Sequence, residues 1–191
     1  MGAESNLAEY EGAVRVRAIE SLLKERGILS DEYVNAAMEF IGREWESTWG
    51  LAIVAKAWAD PKFKKQLLAD PAGTLSKLLE TEVDVVVVEN TDSVHNLSVC
   101  TLCSCYPTTI LGFPPEWYKS PEYRSRAVSE PRKVLKEFGV DLGDDVEIRV
   151  WDSLAPPRHM ILPQRPAGTE GKSEEELAKL VTREMCIGMA R

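Results

Sequence analysis

The sequence contains no apolar run of about 18 residues, the length a helix needs to cross a bilayer, so no segment is expected to span a membrane. It also lacks an excess of positive charge, since 23 Lys and Arg stand against 31 Asp and Glu for a formal charge of −8. A polyanion partner needs a basic face that releases counterions, so this balance argues against nucleic acid and against an anionic membrane surface. The opening MGAESNLAEYEG has no basic stretch followed by an apolar one, as a secretory leader would, and the cytoplasm is the expected compartment. No internal repeat is present, and low complexity is confined to the valines at 85–88.

What is there is a globular composition: 191 residues, 44% hydrophobic, enough for one sizeable core with an appended helical arm. Over 9–27, Val14, Ile19, Leu22 and Leu23 recur among charges at near-helical spacing, which predicts an amphipathic helix stopped by Gly27. Ser30 and Asp31 are suitable caps for a second helix through Val34, Ala37, Met38 and Ile41. LAIVAKAWAD ends at Pro61, and PKFKKQLLADP and AGTLSKLLE add two shorter helices divided by Pro71. Residues 1–80 therefore read as an N-terminal helical arm and helices.

At Val83 the texture changes. VDVVVVEN predicts a strand buried on both faces, and the polar TDSVHN reads as a loop leading into a cluster of cysteines. GFPPEWYKSPEYRSRAVSEPR reads as loop with short helical turns, and RKVLKEFG as a short helix closed by Gly139. DDVEIRVWDS alternates as a half-buried strand, with PRHMILPQRP as its partner, and Ser173 with Glu176 predicts a capping box for the last helix. The fold class is α+β, with 81–191 as a metal-binding α/β domain.

Three of the four cysteines lie in VCTLCSCYP, 99–107. In a reducing compartment such a cluster points to metal binding or catalysis before a disulfide framework. Cys186, in REMCIGMA, reads as a buried packing residue. Cys100 with Cys103 makes CxxC and Cys103 with Cys105 makes CxC, but no second pair of Cys or His stands at zinc-finger spacing. His95 is the nearby imidazole, and it reads as hydrogen-bonded or solvated. The one-residue gap allows chelation by the Cys105 sulfur and its own backbone nitrogen, and by the Cys103 sulfur with the Ser104 amide. Two nitrogens and two sulfurs in a plane favour metals with a tetragonal or octahedral preference over zinc. Cys100 then reaches an axial position and a sixth site stays open for water or substrate, the catalytic condition. On spacing alone, a redox dithiol, a zinc site completed by another chain, and a chance cluster of buried cysteines remain alternatives. The third thiol and the missing helix start weaken the first.

In its setting the motif resembles the α subunit of nitrile hydratase. VVVENTDSVHN precedes it, LGFPPEWYKSPEYRSRAVSEPRKVLKEFG follows it, IRVWDS, LPQRPAGTEG and EELAKLVTRE extend the match, and VAKAWADPKFKKQLLADP begins it upstream. The similarity implies a helical arm followed by a domain layered α-β-β-α, with the metal in a loop at a subunit interface. It implies as ligands the sulfurs of Cys100, Cys103 and Cys105 and the backbone nitrogens of Ser104 and Cys105, with Cys103 as a sulfinate and Cys105 as a sulfenate. Withdrawing electron density from two sulfurs raises the Lewis acidity of the ion toward its open site. Thr101 matches the motif usual among cobalt members, which implies a non-corrin Co(III) over the alternative Fe(III).

The implied reaction adds water to a nitrile to give the amide, a hydro-lyase chemistry, with Cys105 and Cys103 as catalytic groups and either the Cys105 sulfenate or an activated water as nucleophile. Arg158 matches an arginine that supports the metal site. The family's arginines that bond the oxidised sulfurs come from a second subunit, which implies a β subunit as partner, or two shorter β-like chains as in three-subunit members such as toyocamycin nitrile hydratase. A metallochaperone or activator is implied as well. Three features depart from the family pattern: ESTWG at 46–50 replaces a PRNG-containing run, Thr108 stands where many members carry tryptophan, and the stretch around Thr81 is shorter and lacks a glutamine often found there. Thr108 is accordingly placed in the substrate pocket. The rival readings are the metal-binding subunit of thiocyanate hydrolase, which carries the same motif, and a catalytically silent metal-carrying assembly module.

Overall fold

The computed structural model describes residues 2–45, 49–103 and 105–191. Two compact units are present, Met1–Glu44 and Trp45–Arg191.

The first unit holds α1, Gly2–Glu25, and most of α2, Asp31–Trp45. Gly27 ends α1 with φ +67°, a left-handed conformation that glycine adopts at no steric cost, while the N–H of Ile28 donates to the Leu23 carbonyl at 2.9 Å. Ser30 caps α2 by accepting from the Tyr33 N–H at 3.0 Å. Lys24 joins the two helices, bonding Glu20 at 2.6 Å and Asp31 at 2.5 Å. The apolar residues Val14, Val16, Ile19 and Leu22 of α1 remain exposed.

The second unit opens with α3, Trp49–Ala59, α4, Pro61–Ala69, and α5, Pro71–Leu79. Two Asp-Pro pairs separate them. Asp60 accepts from the N–H groups of Lys62 and Phe63, and Asp70 from that of Gly73, while each proline occupies a first-turn position where its missing N–H costs nothing. α3 is almost wholly buried through Ile53, Val54, Ala55, Ala57 and Trp58, and the Trp58 indole donates to the Pro163 carbonyl at 2.8 Å.

Four strands follow: β1, Val85–Glu89, β2, Val94–Val99, β3, Glu147–Asp152, and β4, Arg158–Leu162. They form two parallel pairs. β1 runs beside β4 from Val85 opposite Arg158 to Glu89 opposite Leu162, and β2 beside β3 from Val94 opposite Glu147 to Val99 opposite Asp152.

Three expectations are corrected here. VHNLSV is strand β2 and not part of a polar loop, because the buried side chains of His95 and Asn96 find internal partners. Asn90 Oδ1 accepts from the Asn96 N–H at 2.7 Å, Asn96 Nδ2 donates to the Glu89 carbonyl at 2.8 Å, and the Trp151 indole donates to Asn96 Oδ1 at 2.8 Å. β3 and β4 do not pair with each other. β3 leaves Glu147, Arg149 and Asp152 in solvent, whereas β4 buries the consecutive Met160, Ile161 and Leu162, so they belong to different layers, and SLAPP, with a cis bond between Pro156 and Pro157, links the two pairs. β1 is also less enclosed than its valine run implies, with Val85 and Val87 buried but Val86 and Val88 half-buried.

The intervening chain forms α6, Thr108–Leu111, α7, Glu116–Lys119, α8, Pro121–Ser129, and α9, Pro131–Glu137. α8 is longer than the short turns expected, since Ser120 caps it and Pro121 starts it. α10, Glu174–Ala178, opens on the reciprocal bonds of Ser173 and Glu176. No helix among the described residues is long and apolar enough to cross a membrane.

Candidate metal centre

β2 and β3 end together, and the cysteine loop leaves from that shared end. The Ser153 N–H closes the ladder on the Val99 carbonyl at 2.7 Å, which brings the Asp152 carboxylate to the first turn of the loop. Asp152 accepts from the Thr101 N–H at 3.1 Å and from the Thr101 hydroxyl at 2.5 Å. Arg124, on α8, reaches the Thr101 carbonyl at 3.4 Å, and the Tyr118 hydroxyl, on α7, donates to the Cys105 carbonyl at 3.0 Å. The loop is therefore tied to β3, α7 and α8 at both ends.

This bracing draws three sulfurs together. Cys100 Sγ lies 3.4 Å from Cys103 Sγ, which lies 3.0 Å from Cys105 Sγ, and all three fall within 4.8 Å of one another. Cys100 is buried, Cys105 half-buried and Cys103 exposed, so the cluster has a closed back and an open front. Burial, followed by the neighbouring sulfurs of Cys103 and Cys100, pushes the Cys105 thiol up to about 12, with Arg158 pulling the other way. Thiols packed this closely ionise together only when a cation is shared among them, and three soft donors with one open face suit a thiophilic metal ion. Ser104 lies outside the described residues.

Two other groups stand apart. His95 is buried in β2, where Nε2 faces the Gly188 carbonyl at 2.7 Å and Nδ1 faces Asn90 Nδ2 at 3.4 Å. Cys186 is fully buried, and burial drives its thiol well above its ordinary range, as a packing cysteine requires.

A cleft of about 460 Å³ lies beside the cluster. Three segments wall it: Glu82, Asp84 and Val85 at the start of β1, residues 105–109, and Pro156 with Arg158. Cys105 is the one sulfur of the three on this cleft. Thr108, the first residue of α6, is exposed on it, and Arg158 is steadied by a 2.6 Å bond from Nη1 to the Ser153 carbonyl. Of the ESTWG departure, residues 46–48 lie outside the described residues, Trp49 is exposed, and Gly50 packs so closely on α6 that a Cβ there would come within 2.2 Å of Leu111.

A family model described as nitrile hydratase, alpha chain, matches residues 10–190. The chain belongs to this family. It is 52% identical over 186 residues to the cobalt-containing nitrile hydratase subunit alpha of Pseudonocardia thermophila, a match spanning 95% of this chain and 91% of that one. A double mutant of the Fe-type nitrile hydratase of Comamonas testosteroni Ni1 superposes with a TM-score of 0.86 at 43% identity, over 95% of this chain and 90% of the other. Thiocyanate hydrolase subunit gamma of Thiobacillus thioparus is more distant, 38% identical over 91% of this chain and 76% of its own length. As a nitrile hydratase alpha chain, the protein is part of an enzyme that hydrates nitriles.

Sequence reasoning missed the residues that position this nitrile hydratase loop. Asp152 reads only as the end of a strand and Tyr118 and Arg124 as parts of a proline-rich connection; on the cleft, Glu82 is not singled out and Asp84 reads as part of the VDVVVVEN strand. A possible signal was the period-2 pattern at 82–85, in which buried Val83 and Val85 turn Glu82 and Asp84 to the other face.

Proposed function

We propose that this chain hydrates a nitrile to its amide at a non-corrin Co(III) centre held by the sulfurs of Cys100, Cys103 and Cys105 and the backbone nitrogens of Ser104 and Cys105. The observation that carries this reading is the placement of three sulfurs within 4.8 Å at the edge of a cleft that also holds Arg158 and Thr108. When bound, such an ion supplies a Lewis acid that polarises the carbon–nitrogen triple bond. Cys103 is the sulfinate and Cys105 the sulfenate, and Thr101 favours cobalt over iron, in keeping with the cobalt-containing relative. Because Cys105 faces the cleft, it meets the nitrile carbon, with its sulfenate oxygen attacking or orienting the water that attacks. Arg158 supports this end of the site by holding positive charge beside Cys105. Thr108 shapes the pocket.

Residues 81–191 carry the metal chemistry and residues 1–80 serve as arm and packing helices. The partner is a nitrile hydratase β subunit or two shorter β-like chains, and the exposed apolar residues of α1 suit coverage by another chain. An activator loads the metal, and the complex works in the cytoplasm. Thiocyanate hydrolysis ranks second because that relative is less similar, and rates on a nitrile against thiocyanate separate the two.

Metal analysis with intact mass on the purified complex tests the reading. The expected result is stoichiometric cobalt with two oxygens added at Cys103 and one at Cys105. Cys105→Ser should lose the coloured sulfur-to-metal absorption. Stoichiometric zinc in protein made with ample cobalt, or cobalt-loaded complex that forms no amide, overturns it.

A further inference from the structure

Ser153 follows the last residue of β3, is fully buried, and has every polar group engaged. Its N–H donates to the Val99 carbonyl at 2.7 Å, its carbonyl accepts from Arg158 Nη1 at 2.6 Å, and its Oγ meets both the His159 N–H at 3.3 Å and His159 Nδ1 at 3.1 Å. One serine thus grips Arg158 at two ends, at the guanidinium and at the amide that follows it in the chain. The four linking residues, 154–157, are exposed, so the bonds of Ser153 close a turn that core packing does not. A buried hydroxyl hydrogen needs an acceptor, and with Oγ accepting from the His159 N–H, its own hydrogen goes to Nδ1. Nδ1 must then be unprotonated, and burial lowers the pKa of His159 and keeps the ring neutral. The imidazole is stacked on Trp151, with 5.1 Å between centroids and 25° between planes, and the Trp151 indole is itself fixed by its bond to Asn96.

We propose that His159 and Ser153 are positioning residues for nitrile hydration: the imidazole orients the serine, and the serine sets the Arg158 guanidinium beside Cys105. This rests on the nitrile-hydrating reading of the site. Pairing of β4 with β1 places only the backbone of Arg158, whose N–H donates to the Asp84 carbonyl at 3.1 Å. Its side chain is long and rotatable, and its charge acts on Cys105 as a fixed field only if the guanidinium is held. Without Nδ1 the buried Ser153 hydroxyl loses its acceptor and must turn away from the His159 N–H to find another. The tie between residue 153 and the amide after Arg158 then loosens, and the carbonyl shifts under the guanidinium. Because Ser153 is fully buried within this chain, the clamp is complete without a partner subunit.

Three variants of the cobalt-loaded complex, with rates expressed per bound cobalt, test this. His159→Phe keeps a ring on Trp151 but removes Nδ1, and Ser153→Ala removes the hydroxyl and serves alone if His159→Phe does not fold. His159→Asn gives up the ring but sets an amide oxygen where Nδ1 stood. The first two should lose about 10- to 100-fold in kcat, the range for residues that orient a metal site from behind its ligands, while His159→Asn recovers most of the rate. Both losses should shrink to about twofold or less in an Arg158→Gln background, because a residue that acts through Arg158 then has nothing left to position. The sulfur-to-metal absorption should move to longer wavelength in His159→Phe, Ser153→Ala and Arg158→Gln alike, since a cation near Cys105 holds electron density on the sulfur. Full activity in His159→Phe and Ser153→Ala, or losses that multiply with that of Arg158→Gln, overturns the proposal. So does a greater loss in His159→Asn than in His159→Phe, which would leave His159 only its stacking role. If the complex forms no amide from any nitrile, the hydration reading itself fails, and the absorption decides the positioning separately. A shift shared by the three variants upholds it, and an unmoved band in His159→Phe and Ser153→Ala rejects it.

Discussion

Asp152 holds Thr101 twice, accepting from its backbone N–H at 3.1 Å and from its hydroxyl at 2.5 Å. This joins the end of β3 to the start of the cysteine loop, one residue past Cys100. Asp152→Asn keeps the size of the side chain but replaces one acceptor oxygen with a donor, so one of the two bonds is lost. Because both residues are exposed, the loss is about 1 kcal/mol, or roughly fivefold in metal retention. Metal release to a chelator, followed by absorbance, checks this. Retention equal to wild type would mean that the loop keeps its shape without Asp152.

The Asp152–Thr101 pair also marks the boundary of what sequence reveals. The cysteine cluster is legible because its geometry is local: the spacing of Cys100, Cys103 and Cys105 already confines their sulfurs to a small volume. The Asp-Pro helix boundaries and the Ser173 capping box are local in the same way. β2 was illegible because His95 and Asn96 look like loop residues until Asn90, Trp151 and Gly188 are placed around them. Strand pairing was misread for a related reason. Neighbouring strands usually pair, and only the burial of Met160, Ile161 and Leu162 assigns β4 to β1 instead of β3. Placing Arg158 and Thr108 near Cys105 depends on the same long-range register, so their roles came from family resemblance alone.

Gly188 should be intolerant of any side chain. A Cβ there would lie 2.0 Å from the Asn96 carbonyl oxygen, and its φ of +85° is strained for other residues. Gly188→Ala is expected to cost about 2–4 kcal/mol, combining overpacking with backbone strain. Thermal unfolding of the variant reads this directly, and an unchanged Tm would refute the close approach of the C-terminal segment to β2.

His95 gives stability an acid limb. Nε2 donates to the Gly188 carbonyl, so in the neutral ring Nδ1 accepts from Asn90 Nδ2. Burial lowers the pKa of His95, the Gly188 carbonyl raises it, and the nearby Arg191 lowers it further. Since the folded value is below the unfolded one, the unfolded chain binds the extra proton first. The contribution of neutral His95 is therefore full above the unfolded pKa of about 6.5 and is lost as pH falls toward and through the depressed native value. His159, also lowered by burial, acts in the same direction. Tm measured from pH 8 down to about 5 should fall less steeply in His95→Gln than in wild type. Parallel curves would remove His95 as a source of the slope.

Thr108 tests where the pocket ends. It starts α6, is exposed, and lines the same cleft as Cys105 and Arg158. An indole at this position would project on the order of 200 Å² of aromatic surface into that space. Thr108→Trp should depress turnover of bulky nitriles far more than that of small ones, by roughly 10- to 200-fold in relative kcat/KM, as for other changes in an apolar pocket. The metal spectrum should be unchanged, because Thr108 is three residues beyond Cys105 and none of its atoms joins the sulfur cluster. A tryptophan that instead faced the partner subunit would weaken association and slow both substrates equally. Adding excess partner would then restore both rates, and that result would remove Thr108 from the pocket.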